Sequence, residues 1–153
     1  MTTVWRFVKE RHLKDAFSGE GPRLFGGRWN HKGYSVVYTS GSLALAVLEQ
    51  FVHLSKSEAF LRFVYMRIVM PDSVRVEAIE NLPKNWRAEP PPNATKAIST
   101  DWLKSGNSAV LRVPSVIIPT EFNFVLNPAH HDFKKMTISD HELFTFDPRM
   151  WKS

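Results

Sequence analysis

The run of apolar and polar positions divides the chain into short strands and three helical stretches, separated by turns rich in glycine and proline. Val4 to Val8 predicts a strand, and the charged stretch from Lys9 to Phe17 predicts a helix with Leu13, Ala16 and Phe17 on one face. From Ser18 to Gly33 the chain holds five of its seven glycines plus Pro22, which predicts a loop able to take unusual backbone angles and to approach a ligand closely. Tyr34 to Thr39 predicts a second strand. "SGSLALAVLEQFVHL" then predicts a helix capped by Ser40 or Ser42, apolar enough to be buried on most sides, with Glu49 and His53 as its one polar i, i+4 pair.

Downstream, "AFLRFVYMRIVMP" predicts a long strand ending at Pro71, and "VRVEAI" a further strand. Four prolines between Asn81 and Asn93 predict an irregular loop, followed by a helix over Ala94 to Lys104. The remainder predicts short strands broken by proline, with "NPAHHDF" as a turn. No repeat, linker or low-complexity tract divides the 153 residues, so the expectation is one α+β domain over residues 1–153, with a central mixed or antiparallel sheet flanked by helices.

Composition narrows the chemistry. The absence of cysteine removes disulfides, thiolate nucleophiles and cysteine zinc sites, and fits a reducing compartment. No apolar run approaches the roughly twenty residues needed to span a bilayer, and the first residues lack the apolar core of a signal peptide, so a cytoplasmic protein without membrane association is expected. A formal charge of +5 favours an anionic partner without choosing among nucleic acid, an acidic protein and a phosphorylated small molecule.

Motifs narrow it further. "GGRWN" is followed by neither Gly-Lys-Ser/Thr nor a helix, which excludes the familiar phosphate cradles. Arg28 on this loop either binds a phosphate or carboxylate through its planar fork or is a solvated turn arginine. Glu49 is either part of a polar stripe with Gln50 and His53 or a carboxylate aimed into a cleft, where it could offset cationic charge. Tyr38 could stack on a ring or fill the core, and Ser115 needs a hydrogen-bond partner if buried. His130, His131 and Asp132 lack a convincing metal spacing, since adjacent histidines on an extended turn point apart, so no metal is expected. No GxSxG elbow is present.

Taken together, "WRFV", "GGRWNHKGYSVVYTSGSLALAVLEQFVH", "LPKNW", "WLKSGNSAVLRVPSVIIPTEFNFVLNPAH" and "FTFDPRMW" resemble, in that order, the RES domain, the toxin half of bacterial Xre-RES toxin–antitoxin systems. The family is named for an arginine, a glutamate and a serine, which correspond to Arg28, Glu49 and Ser115, with Ser108 as the other hydroxyl in the same segment. The resemblance implies an ADP-ribosyltransferase-like fold and cleavage of NAD between nicotinamide and ribose, by water or by phosphate. It makes NAD the substrate, with no resident cofactor.

On this resemblance Arg28 would hold the diphosphate or a nearby ribose, and Tyr38 would stack on nicotinamide. Glu49 would bond a ribose hydroxyl and offset charge at the anomeric carbon, while Ser115 would position the ribose or amide. Arg6, Gly27, Trp29 and Asn30 would complete the substrate-binding surface. The family's partner is a helix-turn-helix antitoxin covering the active site, which would leave DNA binding to that partner, with a homodimer of the toxin in the complex. One departure is that Glu49 is predicted on a helix, whereas the glutamate of typical ADP-ribosyltransferases lies on a strand. Two other activities stay open: ADP-ribosyl transfer to a macromolecule, and a basic toxin that targets RNA.

Overall fold

The computed structural model describes residues 1–151. Its centre is the antiparallel pairing of β1 (Thr2–Lys9) with β3 (Phe63–Met70), in register from Thr2 opposite Met70 to Lys9 opposite Phe63. On its other side β1 meets β2 (Val37–Ser40) at a single registered pair, Trp5 opposite Ser40. β2 continues into β6 (Phe122–Leu126), β6 into β5 (Val110–Pro114), and β5 pairs in parallel with β4 (Val76–Ala78). At the far edge, β7 (Thr137–Ile138) and β8 (Glu142–Phe144) lie in succession along β3, completing an eight-stranded mixed sheet of an α+β fold.

Among the described residues three α-helices dress the sheet: α1 (Glu20–Phe25), α2 (Leu43–Phe51) and α3 (Asn93–Ser105). Apolar alternation along the strands decides which face each helix covers. α2 sets Ala46 and Val47 against Phe7 and Phe63. α3 sets Trp102 against Leu111, Val113 and Val125, in a cluster that also takes in Trp29 and Val36. Another cluster gathers Val4, Val37, Ile68, Val110, Leu126 and Met136. Among the described residues no helix is long and apolar enough to cross a membrane.

An aromatic cluster secures the C-terminal segment. Phe7 and Phe63 stack with centroids 5.1 Å apart, and Phe146 meets them edge-on at 5.9 and 5.2 Å. Phe146 also lies 4.9 Å from Trp151, which in turn lies 4.9 Å from Phe51 at the end of α2.

Several boundaries depart from the sequence reading. The stretch from Lys9 to Phe17 forms only a 3-10 turn over Glu10–Asp15, since it has too few apolar positions to anchor a longer helix. The glycine-rich segment contains α1, because Pro22 falls in the first turn, where its missing N–H costs nothing. The second strand begins at Val37 rather than Tyr34. α2 is shorter than predicted, with Ser42 as its cap accepting from the Leu45 N–H, and only Leu45, Ala46 and Val47 are fully buried. Ala59 and Phe60, read as the start of the long strand, belong to a 3-10 turn over Lys56–Phe60.

Because Phe63 is 1% exposed and contacts Phe7 and Phe146, Phe63→Ala should cost about 3–5 kcal/mol of unfolding free energy, measured by urea denaturation.

Candidate active site

A cleft of about 440 Å³ opens where β1 and β2 diverge. Its walls come from Trp5, Arg6 and Phe7 of β1, Tyr38 to Ser40 of β2, Glu49 of α2, the loop from Gly26 to Trp29, and Glu89 and Pro91 of the proline-rich loop. Arg6 spans the divergence. Its Nη1 donates to the Tyr38 carbonyl at 3.3 Å, a group on the neighbouring strand, and its Nε donates to the Ala16 carbonyl at 3.0 Å. Burial pushes the Arg6 guanidinium down to about 10, still a cation near neutral pH, and among the described residues no carboxylate pairs with it. Carbonyl dipoles alone offset a largely desolvated charge, which favours an anion in the cleft.

Glu49 is fixed by a chain of hydrogen bonds that runs across three elements. Its Oε1 accepts from Ser115 Oγ at 2.6 Å and from Asn123 Nδ2 at 2.7 Å. The Ser115 hydroxyl oxygen accepts from the N–H groups of Ile117 and Ile118, both at 3.1 Å, which leaves its proton for Glu49. Ser40 Oγ donates to Asn123 Oδ1 at 2.6 Å, and this contact orients the amide so that its NH₂ faces the carboxylate. Among the described residues Oε2 of Glu49 carries no hydrogen bond, so one oxygen is anchored and the other is available. The predicted Glu49–His53 pair is replaced by these contacts.

The glycine loop is built around Tyr38. Asn30, 0% exposed, donates through Nδ2 to the carbonyls of Pro22, His31 and Tyr34, and its Oδ1 accepts from the Tyr38 hydroxyl at 2.6 Å. The Trp29 N–H donates to the same phenol oxygen at 3.2 Å, and burial raises the Tyr38 hydroxyl well above its ordinary value. A Cβ on Gly27 would stand 2.6 Å from Tyr38 Oη and 2.9 Å from Asn30 Oδ1, which explains the glycine there. Arg28 reaches the proline-rich loop: Nη1 donates to the carbonyls of Trp86 and Ala88 at 2.9 and 2.7 Å, and Nη2 to Glu89 Oε2 at 2.6 Å.

Arg6, Gly27, Arg28, Tyr38 and Glu49 thus share one cleft, as does part of Trp29, whose side chain is otherwise in the core at 3% exposure. Ser115 and Asn30 do not reach the wall. Both are 0% exposed, so Ser115 acts on Glu49 and Asn30 on Tyr38. Ser108 is elsewhere, accepting from Trp102 Nε1 and donating to Glu77. The sequence reading gave Asn123 and Glu89 no role and took Ser40 only as a candidate helix cap. Asn123 carried one signal: it is the single polar residue in the strand "FNFVL".

The two adjacent histidines do not point apart but stack with centroids 4.3 Å apart. With Asp132 they form a group whose potential ligand atoms lie within 4.8 Å of one another. Two of the three already have contacts of their own. His130 Nδ1 accepts from the Asp132 N–H and its Nε2 faces the Gly106 carbonyl, while Lys135 Nζ lies 3.0 Å from the Asp132 carboxylate and holds it below its usual range.

Gly27→Ala should cost about 1–3 kcal/mol through overpacking against Tyr38, a fall of roughly 2–12 °C in Tm by calorimetry. Tyr38→Phe removes the atom that clashes most closely but leaves Asn30 Oδ1 and the Trp29 N–H unpaired, so the double variant should lose less than the sum of the two single losses.

Comparison with known proteins gives the fold and site their context. The RES domain family model matches residues 3–147. The chain is 40% identical over 149 residues to Toxin Res of Yersinia enterocolitica, covering 96% of this chain and 98% of that protein. It is 38% identical over 155 residues to the Prs ADP-ribosylating toxin of a Sphingobium species, covering 97% and 96%. In fold it is similar to a chain in the crystal structure of the M. tuberculosis MbcT–MbcA toxin–antitoxin complex, with a TM-score of 0.77 at 17% identity, covering 94% of this chain and 84% of that one. A match across nearly the whole sequence, together with full-length relatives at this identity, places the chain in the RES domain family.

Proposed function

We propose that this protein is the toxin of a bacterial toxin–antitoxin pair and that it cleaves NAD between nicotinamide and ribose. The observation that carries this reading is Glu49, a carboxylate on a cleft wall with Oε1 fixed by Ser115 and Asn123 and Oε2 unbonded among the described residues. Heterolysis of the C1′–N bond sends its electron pair to the pyridinium nitrogen and releases neutral nicotinamide. Positive charge grows on C1′ and the ribose ring oxygen as that bond breaks. A preoriented carboxylate beside it stabilises this charge without reorganising at the moment of reaction.

The other residues take supporting parts. The Tyr38 ring provides a surface for nicotinamide, with its hydroxyl locked by Asn30 and so unable to swing. Arg6 and Arg28 supply positive charge for the diphosphate. Ser115 is a positioning residue, since its proton is committed to Glu49 and its oxygen to two amide N–H groups. Water adding at C1′ and losing a proton yields ADP-ribose, and phosphate adding there yields ADP-ribose 1″-phosphate. The reaction needs no metal and no resident cofactor. A helix-turn-helix antitoxin would cover the cleft, whose wall includes the exposed Val52 and near which Phe25 is 77% exposed. DNA binding would fall to that partner, the toxin would pair as a homodimer in the complex, and both would act in the cytoplasm.

The name of the Sphingobium relative supports a second reading, transfer of ADP-ribose to a macromolecule by the same cleavage with a different acceptor. Nicotinamide release from NAD, followed in water and in phosphate buffer with mass spectrometry of the products, separates hydrolysis, phosphorolysis and transfer. Glu49→Gln should lower the rate about 10²–10³-fold. Ser115→Ala and Asn123→Ala should lower it less, because each leaves Oε1 one donor. Absence of nicotinamide release under all conditions, or a fully active Glu49→Gln, would overturn the proposal.

A further inference from the structure

We infer that Glu89 is an internal anion that competes with the diphosphate of the substrate for Arg28, so that a residue outside the reaction itself sets how tightly the cleft takes its ligand. This rests on the reading of Arg28 as a diphosphate-binding residue. The starting point is how unequally the guanidinium is used. Both hydrogens of Nη1 go to the backbone carbonyls of Trp86 and Ala88, which clamps the proline-rich loop to the glycine loop. Those carbonyls are neutral. The charge of Arg28 is met by Glu89 through Nη2, and among the described residues Nε and the second Nη2 hydrogen have no partner.

The two members of this ion pair differ in exposure, the Arg28 side chain at 13% and that of Glu89 at 71%. So exposed a carboxylate gains little from a single pair in water, and another anion can replace it at small cost. Arg28 needs no rearrangement for that exchange, since its Nη1 bonds to the loop persist when Glu89 leaves. Both residues line the cleft, and a diphosphate brings two negative charges against the one of Glu89. The other arginine–carboxylate pairs, Arg23 with Glu20, Arg62 with Glu10, Arg75 with Glu77 and Arg149 with Asp147, involve no residue of the cleft wall. The cleft therefore offers an anion two unlike cations: Arg6, without a carboxylate, and Arg28, already paired with one.

The test is isothermal titration calorimetry of the full chain with inorganic pyrophosphate at low salt. Glu89→Gln keeps the shape of the side chain and removes its charge, and at an exposed position it should leave Tm unchanged. It should tighten pyrophosphate binding about two- to fivefold, and the gain should shrink as salt rises. In an Arg28→Gln background the same substitution should give no gain, which identifies Arg28 as the route. Equal or weaker binding by Glu89→Gln, no binding by either protein, or a gain that persists without Arg28 would overturn the inference. Nicotinamide release by the wild type is measured separately. Its presence without tightening would remove the competition alone, whereas tightening without release would remove the NAD reading and leave the competition standing.

Discussion

The structure turns on a gap between two strands. β1 pairs with β3 along its whole length but touches β2 in register at one position, and a sheet opened in this way exposes backbone polar groups that must be satisfied otherwise. Arg6 does this for Tyr38 by donating to its carbonyl across the divergence. The same side chain thereby holds the cleft open, braces the strand that presents Tyr38, and brings an uncompensated positive charge to the cleft wall. Opening a sheet normally costs hydrogen bonds, and here a cation on the cleft wall supplies one of them.

Around that gap each wall is fixed by atoms remote from it. Glu49 sits on a short helix that is fully buried only at Leu45, Ala46 and Val47, so packing alone would leave its side chain free to rotate. The rotamer is set instead by Ser115, buried behind the wall, and by Asn123, and these are set by two amide N–H groups and by Ser40. Tyr38 is held in the same manner by Asn30 and the Trp29 N–H. Buried polar networks of this kind are costly if incomplete and stiff when satisfied, which suits groups that must be in place before a charge develops.

Much of this was readable in the sequence where pattern and chemistry are local. The strand at Val4–Val8, the core of the long strand ending at Pro71, the helix from Ala94 and a serine cap on α2, Ser42 of the two candidates, follow from periodicity and capping. Arg28, Tyr38 and Glu49 stood out as polar groups in apolar or glycine-rich settings, and all three line one cleft. Contacts far apart in the chain were harder to read. Asn123 meets Glu49 across 74 positions and Glu89 meets Arg28 across 61, and no periodicity encodes such pairings. Trp29 and Asn30 were expected, on the resemblance, to complete the substrate-binding surface, yet Asn30 turns inward and satisfies carbonyls that would otherwise be buried without partners. Gly27 was read as room for a ligand, whereas its missing side chain makes room for Tyr38.

The aromatic cluster at the C-terminal end reaches into the same design. Trp151 packs on Phe51 and Phe146, and Phe51 closes the helix on which Glu49 lies two positions earlier. The last turn of α2 is therefore held partly by residues about a hundred positions away in the chain. A chain cut before Phe146 would keep the strands that form the cleft but lose the aromatic brace on this helix, so the setting of Glu49 depends on a segment that never touches the cleft.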